Sequence, residues 1–108
     1  MSQVRHGKEI NFAAINVATD ATTEVIAAVT GRKIVVVGIV LSADIAGTAT
    51  LVHTTATPVA ISGVMTLGAS PVTIGNFSEP LTETGSGKNF GITAATCTVD
   101  GLVAYYLD

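Results

Sequence analysis

Short apolar blocks and stretches of alternating apolar and polar residues fill the chain, and turn residues interrupt them about every ten positions. No stretch holds a convincing helical period. Phe12 to Thr19 and Thr23 to Thr30 read as two strands, separated by the polar Thr19-Asp20-Ala21-Thr22 and closed by Gly31-Arg32. A helix over Asp20 to Val29 competes for the second of these, with Asp20 as N-cap, Glu24 in the first turn and Ala27 and Ala28 behind. The β-branched residues Thr22, Thr23, Val25, Ile26, Val29 and Thr30 outweigh the two alanines, because their stiff χ1 suits a pleated surface better than a helix.

Lys33 to Ala43 is the clearest strand, and it is apolar on both alternating faces: Ile34, Val36 and Val40 on one, Val35, Val37, Ile39 and Leu41 on the other. Both faces therefore need cover. An opposing sheet provides one side, which leaves the other for a long loop, an N-terminal arm or a neighbouring subunit. Gly38 in its middle marks a bulge or a close backbone approach.

Further strands follow at Thr48 to His53, Val59 to Leu67 with a break at Ser62-Gly63, Val72 to Phe77, Phe90 to Ala94 and Leu102 to Leu107. Ala46-Gly47, Thr57-Pro58, Gly68 to Pro71, Glu79-Pro80, Gly85-Ser86-Gly87 and the tight turn Asp100-Gly101 punctuate them. The stretch Val72 to Thr84 is the least regular. About eight short antiparallel strands without an internal repeat point to an all-β, two-sheet β-sandwich, either a jelly roll or an Ig-like arrangement. Residues 1–10 are polar, of mixed charge and without period, and are expected to be an extended N-terminal arm ahead of a single domain over 11–108.

Composition narrows the function. Of 108 residues 48% are hydrophobic and only 12% charged, against roughly 25% charged in an average soluble domain. A chain so poor in charge has difficulty solvating its whole surface, so some apolar area is expected to meet another chain, unless threonine and serine hydroxyls suffice. A net charge of −3 with five scattered basic residues excludes a phosphate-neutralising stripe, and with it a nucleic-acid partner. The single Cys97 rules out an internal disulfide, consistent with a reducing cytoplasm, and no apolar run at the N-terminus or elsewhere is long enough for a signal peptide or a membrane span.

Candidate chemistry is thin. Nucleophilic catalysis would need Cys97 or a serine beside His6 or His53, yet there is no nucleophile elbow and Cys97 lies in an ordinary Ala-Ala-Thr-Cys-Thr-Val context. Glu79, Glu83, Asp44 and Asp100 are carboxylates that nothing in the pattern pairs. Two distant histidines and one cysteine supply no metal motif. The Gly85-Ser86-Gly87-Lys88 stretch lacks the preceding strand, the Ser or Thr after lysine and the following helix of a phosphate loop, so it reads as a flexible hairpin connection. No catalytic residue, metal ligand or cofactor is expected.

The succession TEVIAAVTGRKIVVV from Thr23, TATLV from Thr48, AISGVMTL from Ala60, GSGKNFGI from Gly85 and GLVAYY from Gly101 resembles small jelly-roll virion proteins of tailed phages and prophages. Its elements are strands and turns, with no catalytic signature. The resemblance implies a jelly-roll type of sandwich and a head decoration or cement subunit, or a head-fibre attachment module. It implies a homo-oligomer, a trimer, on the outer surface of the capsid, made in the host cytoplasm and bound to the major capsid protein or another virion protein. With no shaft or tip segment after the last strand, a stand-alone decoration protein is expected ahead of a fibre fragment.

On this view the arm adds a strand to a sheet edge on the partner, with Val4, Arg5, Lys8 and Ile10 as its contacts. A carbohydrate-binding or adhesion module is the alternative. It needs exposed aromatics or a calcium site, and Phe12, Phe77, Phe90, Tyr105 and Tyr106 are the only aromatics on offer. Tyr105 and Tyr106 point to opposite faces of one strand, so one of them belongs in the core. A small enzyme on a cupin-like scaffold would need the histidine cluster that the chain lacks.

Overall fold

The computed structural model describes residues 3–5, 8–77 and 79–108. It holds eleven strands and, among the described residues, no helix, so the strand assignment for the Thr22–Ile26 region stands. One antiparallel sheet runs in the order β1 (Gln3–Arg5), β2 (Lys8–Val17), β11 (Val99–Leu107), β4 (Ile34–Ala43), β8 (Val72–Gly75), with β9 (Thr82–Glu83) also on β4. The other runs β3 (Thr22–Ile26), β10 (Phe90–Ala95), β5 (Gly47–His53), β6 (Val59–Ala60), with β7 (Met65–Leu67) also on β5.

Eleven strands replace the expected eight because two edge strands are interrupted and β1 is added. β6 and β7 lie along β5 as one broken edge, split at Ser62-Gly63, and β8 and β9 lie along β4 as another. The two sheets face each other across a shared core. Ile15, Val17, Ile34, Val36, Ile39, Leu41, Val99 and Val103 come from the first sheet, and Ile26, Ala49, Leu51, Leu67, Phe90, Ile92 and Ala94 from the second.

Strand β4 does not keep one phase. Ala104 pairs with Gly38 and Tyr105 with Val36, so Val37 has no partner on β11 and forms a bulge. Strict alternation would place Ile39 and Leu41 with Val35 and Val37. The bulge instead turns Ile39 and Leu41 into the main core with Ile34 and Val36, while Val35 and Val37 join a second, smaller core on the outer face with Ile10, Ala104 and Tyr106.

Cover for that outer face comes from within the chain. After β8 the backbone leaves the sheet at Gly75, and Phe77 packs against the second core. Phe77 donates its N–H to the Val37 carbonyl at 3.0 Å, and Leu81 then donates to Val36 at 2.7 Å, which returns the chain to β4 as β9. The Phe77 ring sits so close over Gly38 that a Cβ there would lie 2.6 Å from it. This is the close approach that a glycine in mid-strand signals.

Two sequence expectations change. Within the expected arm the described residues are paired: Gln3 faces Ile10 and Arg5 faces Lys8 in a β1–β2 ladder, and Lys8, Glu9 and Ile10 are the head of β2. The Asp100-Gly101 turn does not form, because Asp100 pairs with Asn16 and Ser42 and Gly101 with Ile15 and Leu41, inside β11. A Cβ on Gly101 would collide with the Val40 carbonyl oxygen, so that glycine serves a tight strand contact rather than a reversal. Tyr105 packs half-buried on the main core and Tyr106 in the outer one, so both rings are used.

Thr84 is the one buried polar residue among those described. Its hydroxyl accepts the Ile34 N–H at 3.1 Å and has the Gly85 and Lys88 carbonyls at 3.2 Å as acceptors for its own proton. It thereby fixes the end of β9 to β4 and shapes the 85–88 turn. Thr84→Val keeps the volume but strands the Ile34 N–H, and is expected to cost about 1–3 kcal/mol in urea unfolding. A change below a few tenths of a kcal/mol would contradict this role.

Candidate functional site

The outer faces of the two sheets differ in chemistry. On the β3–β10–β5 sheet, Thr22, Thr93 and Thr50 form one cross-strand row, and Thr48 beside Thr66 forms another. The Thr22 and Thr93 hydroxyls bond each other at 2.6 Å. Hydroxyls thus solvate this sheet without any need for charge.

On the β2–β11–β4 sheet the outer face changes along its length. At one end Ile10, Tyr106, Val35, Val37 and Phe77 close the second core. In the middle, cross-strand rows set Phe12 beside Ala104, and Ala14, Leu102 and Val40 side by side. Phe12 is 41% exposed and Leu102 39%, with Ala14 also exposed and Val40 half-buried. At the far end the row becomes polar, with Asn16, Asp100 and Ser42 in register. An uncharged apolar band, continuous with a small core and bordered by a polar rim, is the composition of an interface centre.

The four residues expected to touch a partner are distributed differently from an arm. Val4 and Arg5 lie on β1, which among the described residues pairs only with β2 and so leaves a strand edge at the margin of the apolar sheet. Lys8 opens β2. Ile10 is 2% exposed, built into the second core, and not available to a partner as a side chain. His6, considered above only as a partner for a nucleophile, lies outside the described residues.

A second surface feature is a cleft of about 410 Å³ at one end of the threonine sheet, lined by Glu24, Ala28, Thr54, Thr55, Ala56, Gly87, Lys88 and Asn89. Its frame is the Asn89 side chain. The amide donates to Glu24 Oε2 at 2.7 Å and to Thr55 Oγ1 at 2.9 Å, and its oxygen accepts the Thr55 N–H at 3.3 Å. The Thr54–Thr57 turn lies down on Gly91, where a Cβ would meet the Thr55 methyl group and the Thr23 carbonyl. Thr54 holds φ at 54°, a conformation that costs a β-branched residue about 1–3 kcal/mol, while its hydroxyl pairs with His53 Nδ1 at 2.8 Å.

Cys97 and His53 are kept apart. Cys97 is buried against Gly47, at the start of β5, whereas His53 ends that seven-residue strand, roughly 20 Å away. Among the described residues, no three His, Cys, Asp or Glu side chains gather closely enough to hold a metal ion. No family model, curated protein or solved structure matches the chain.

Carboxylates stitch the loops at the opposite end of the sandwich. Asp44 Oδ1 accepts the Thr98 N–H at 2.8 Å and the Ile45 N–H at 3.0 Å, and Asp20 Oδ1 accepts the Thr96 N–H at 2.9 Å. The Thr98 backbone bond holds the Asp44 carboxyl below its ordinary value of 3.8, with desolvation working the other way. A depressed folded-state value means that Asp44 contributes stability above its unfolded value and loses it as pH falls through the folded one. Asp44→Asn is therefore expected to lower the urea midpoint at neutral pH, with the gap to the parent narrowing below pH 3.8. A gap independent of pH would contradict the assignment.

Proposed function

We propose that this chain is a non-enzymatic structural subunit, a decoration or cement protein that binds the outer surface of a tailed-phage head as a homotrimer. The observation that carries this reading is the asymmetry of the outer faces, hydroxylated on one sheet and apolar on the other. The band of Phe12, Ala14, Leu102 and Val40 joins copies of the chain. The free edge of β1, beside that band, is the element that adds a strand to the major capsid protein or a neighbouring virion protein.

Strand order supports the jelly-roll part of the reading. When each broken edge counts as one strand and β1 is set aside, the eight remaining strands fall in the orders 1-8-3-6 and 2-7-4-5. Successive strands alternate between sheets until the fourth and fifth, which pair as neighbours, and alternation then resumes. Such an order is the one expected of two interleaved Greek keys, and it supports the jelly-roll reading. The resemblance to phage jelly-roll proteins and the scarcity of charge support the assembly role from the sequence side.

Phe12→Ser combined with Leu102→Ser tests the assignment, since both side chains are exposed and their loss spares the cores. The variant is expected to keep its circular dichroism spectrum and melt within a few degrees of the parent. Sedimentation velocity should show it as a monomer, and its cosedimentation with phage heads should weaken by about a hundredfold through lost multivalency. An oligomer unchanged in the variant contradicts the face assignment, and undiminished head binding by a monomeric variant contradicts decoration as an oligomer.

A further inference from the structure

We infer that the cleft beside Asn89 is a sugar-binding site, taking neighbouring hydroxyls of a pyranose ring between the Glu24 carboxylate and the Lys88 ammonium. It lies on the threonine sheet, away from the apolar band, and does not depend on the assembly role. Three separate segments build it: β3, the turn after β5 and the connection into β10. Thr84 shapes the last of these by holding the Lys88 carbonyl, so both walls are anchored in the sandwich.

The hydrogen-bond inventory selects the ligand class. Asn89 spends both N–H bonds on the frame, one to Glu24 Oε2 and one to Thr55 Oγ1. This orients the Glu24 carboxylate and leaves Oε1 free as an acceptor. Thr55 Oγ1 accepts from Asn89 and keeps its own proton to donate. Lys88 makes no ion pair among the described residues and offers three donors. The cleft thus presents a strong acceptor and strong donors, with a summed charge of zero.

An anion gains from Lys88 but meets Glu24, a cation meets the reverse, and among the described residues no three His, Cys, Asp or Glu side chains gather to hold a metal ion. A neutral ligand whose adjacent hydroxyls each donate and accept satisfies both walls together. The methyl groups of Ala28 and Ala56 supply apolar contact for its C–H bonds, and the volume lies within the range of small-molecule sites. No aromatic ring lines the cleft, so it lacks the platform that a dedicated carbohydrate-binding module needs; stacking adds nothing and the site is a weak one, in the millimolar range.

The test is a ¹H–¹⁵N titration of the full chain with glucose, galactose, mannose and N-acetylglucosamine, with glycine as a zwitterionic control. At least one sugar should shift the amides of Thr54, Thr55, Lys88 and Asn89 saturably, and Glu24→Gln should weaken that sugar about tenfold while the free amide spectrum elsewhere stays unchanged. Gln keeps the acceptor for Asn89, so the frame survives. Lys88→Met provides a second variant with the same expected loss. Absence of saturable shifts with every sugar, affinity in both variants equal to the parent's, or preferential binding of glycine would each overturn the inference.

Discussion

Strand β4 carries apolar side chains on both of its faces, and most of the architecture answers that constraint. One face is satisfied by the opposing sheet, through Ile34, Val36, Ile39 and Leu41. The other needs a separate cover, which the chain makes by interrupting its own edge strand between β8 and β9 and laying Phe77 over Gly38. The bulge at Val37 and the excursion carrying Phe77 occur at the same level of the sheet and are joined by the Phe77–Val37 backbone bond. Cover stops there. Beyond Ala104 the outer face remains apolar and open, and the proposal of an assembling subunit rests on this.

The second sheet solves the same problem in another way. Threonines in register give its outer face hydroxyls, so a chain with few charges still has one wet side. Folding the turn after β5 down onto Gly91 gives that side a cleft framed by a single amide, Asn89. One molecule therefore presents one sheet with an open apolar outer face and another with a hydroxylated outer face that carries a cleft.

Much of the fold was legible because period-two patterning and β-branched residues act locally. The strands over Thr22–Ile26, Ile34–Ala43, Gly47–His53 and Phe90–Ala95, the break at Ser62-Gly63 and the doubly apolar β4 follow from side chains a few positions apart, whereas β9 and the first residues of β11 do not. Gly38 pointed to a bulge, but not to its consequence, because a phase change needs the register with β11. Asp100-Gly101 has the local chemistry of a turn and loses it to pairing on both sides of β11. Residues 8–10 looked like an arm because only Ile10 among them is apolar, and its partners Val35 and Tyr106 are remote in sequence. The cleft was invisible for the same reason. Glu24 and Asn89 meet across 65 positions, and Lys88 drew notice only as part of a phosphate-loop pattern that its context excluded.

The central claim is that the open part of the first sheet's outer face is covered by other copies of the chain. Its most direct test is the mass of the unmodified protein in solution, by light scattering over a dilution series. The account predicts a mass of three chains that holds until high dilution. A mass of one chain at every concentration would contradict it, and would mean that Phe12 and Leu102 remain in water in the free protein.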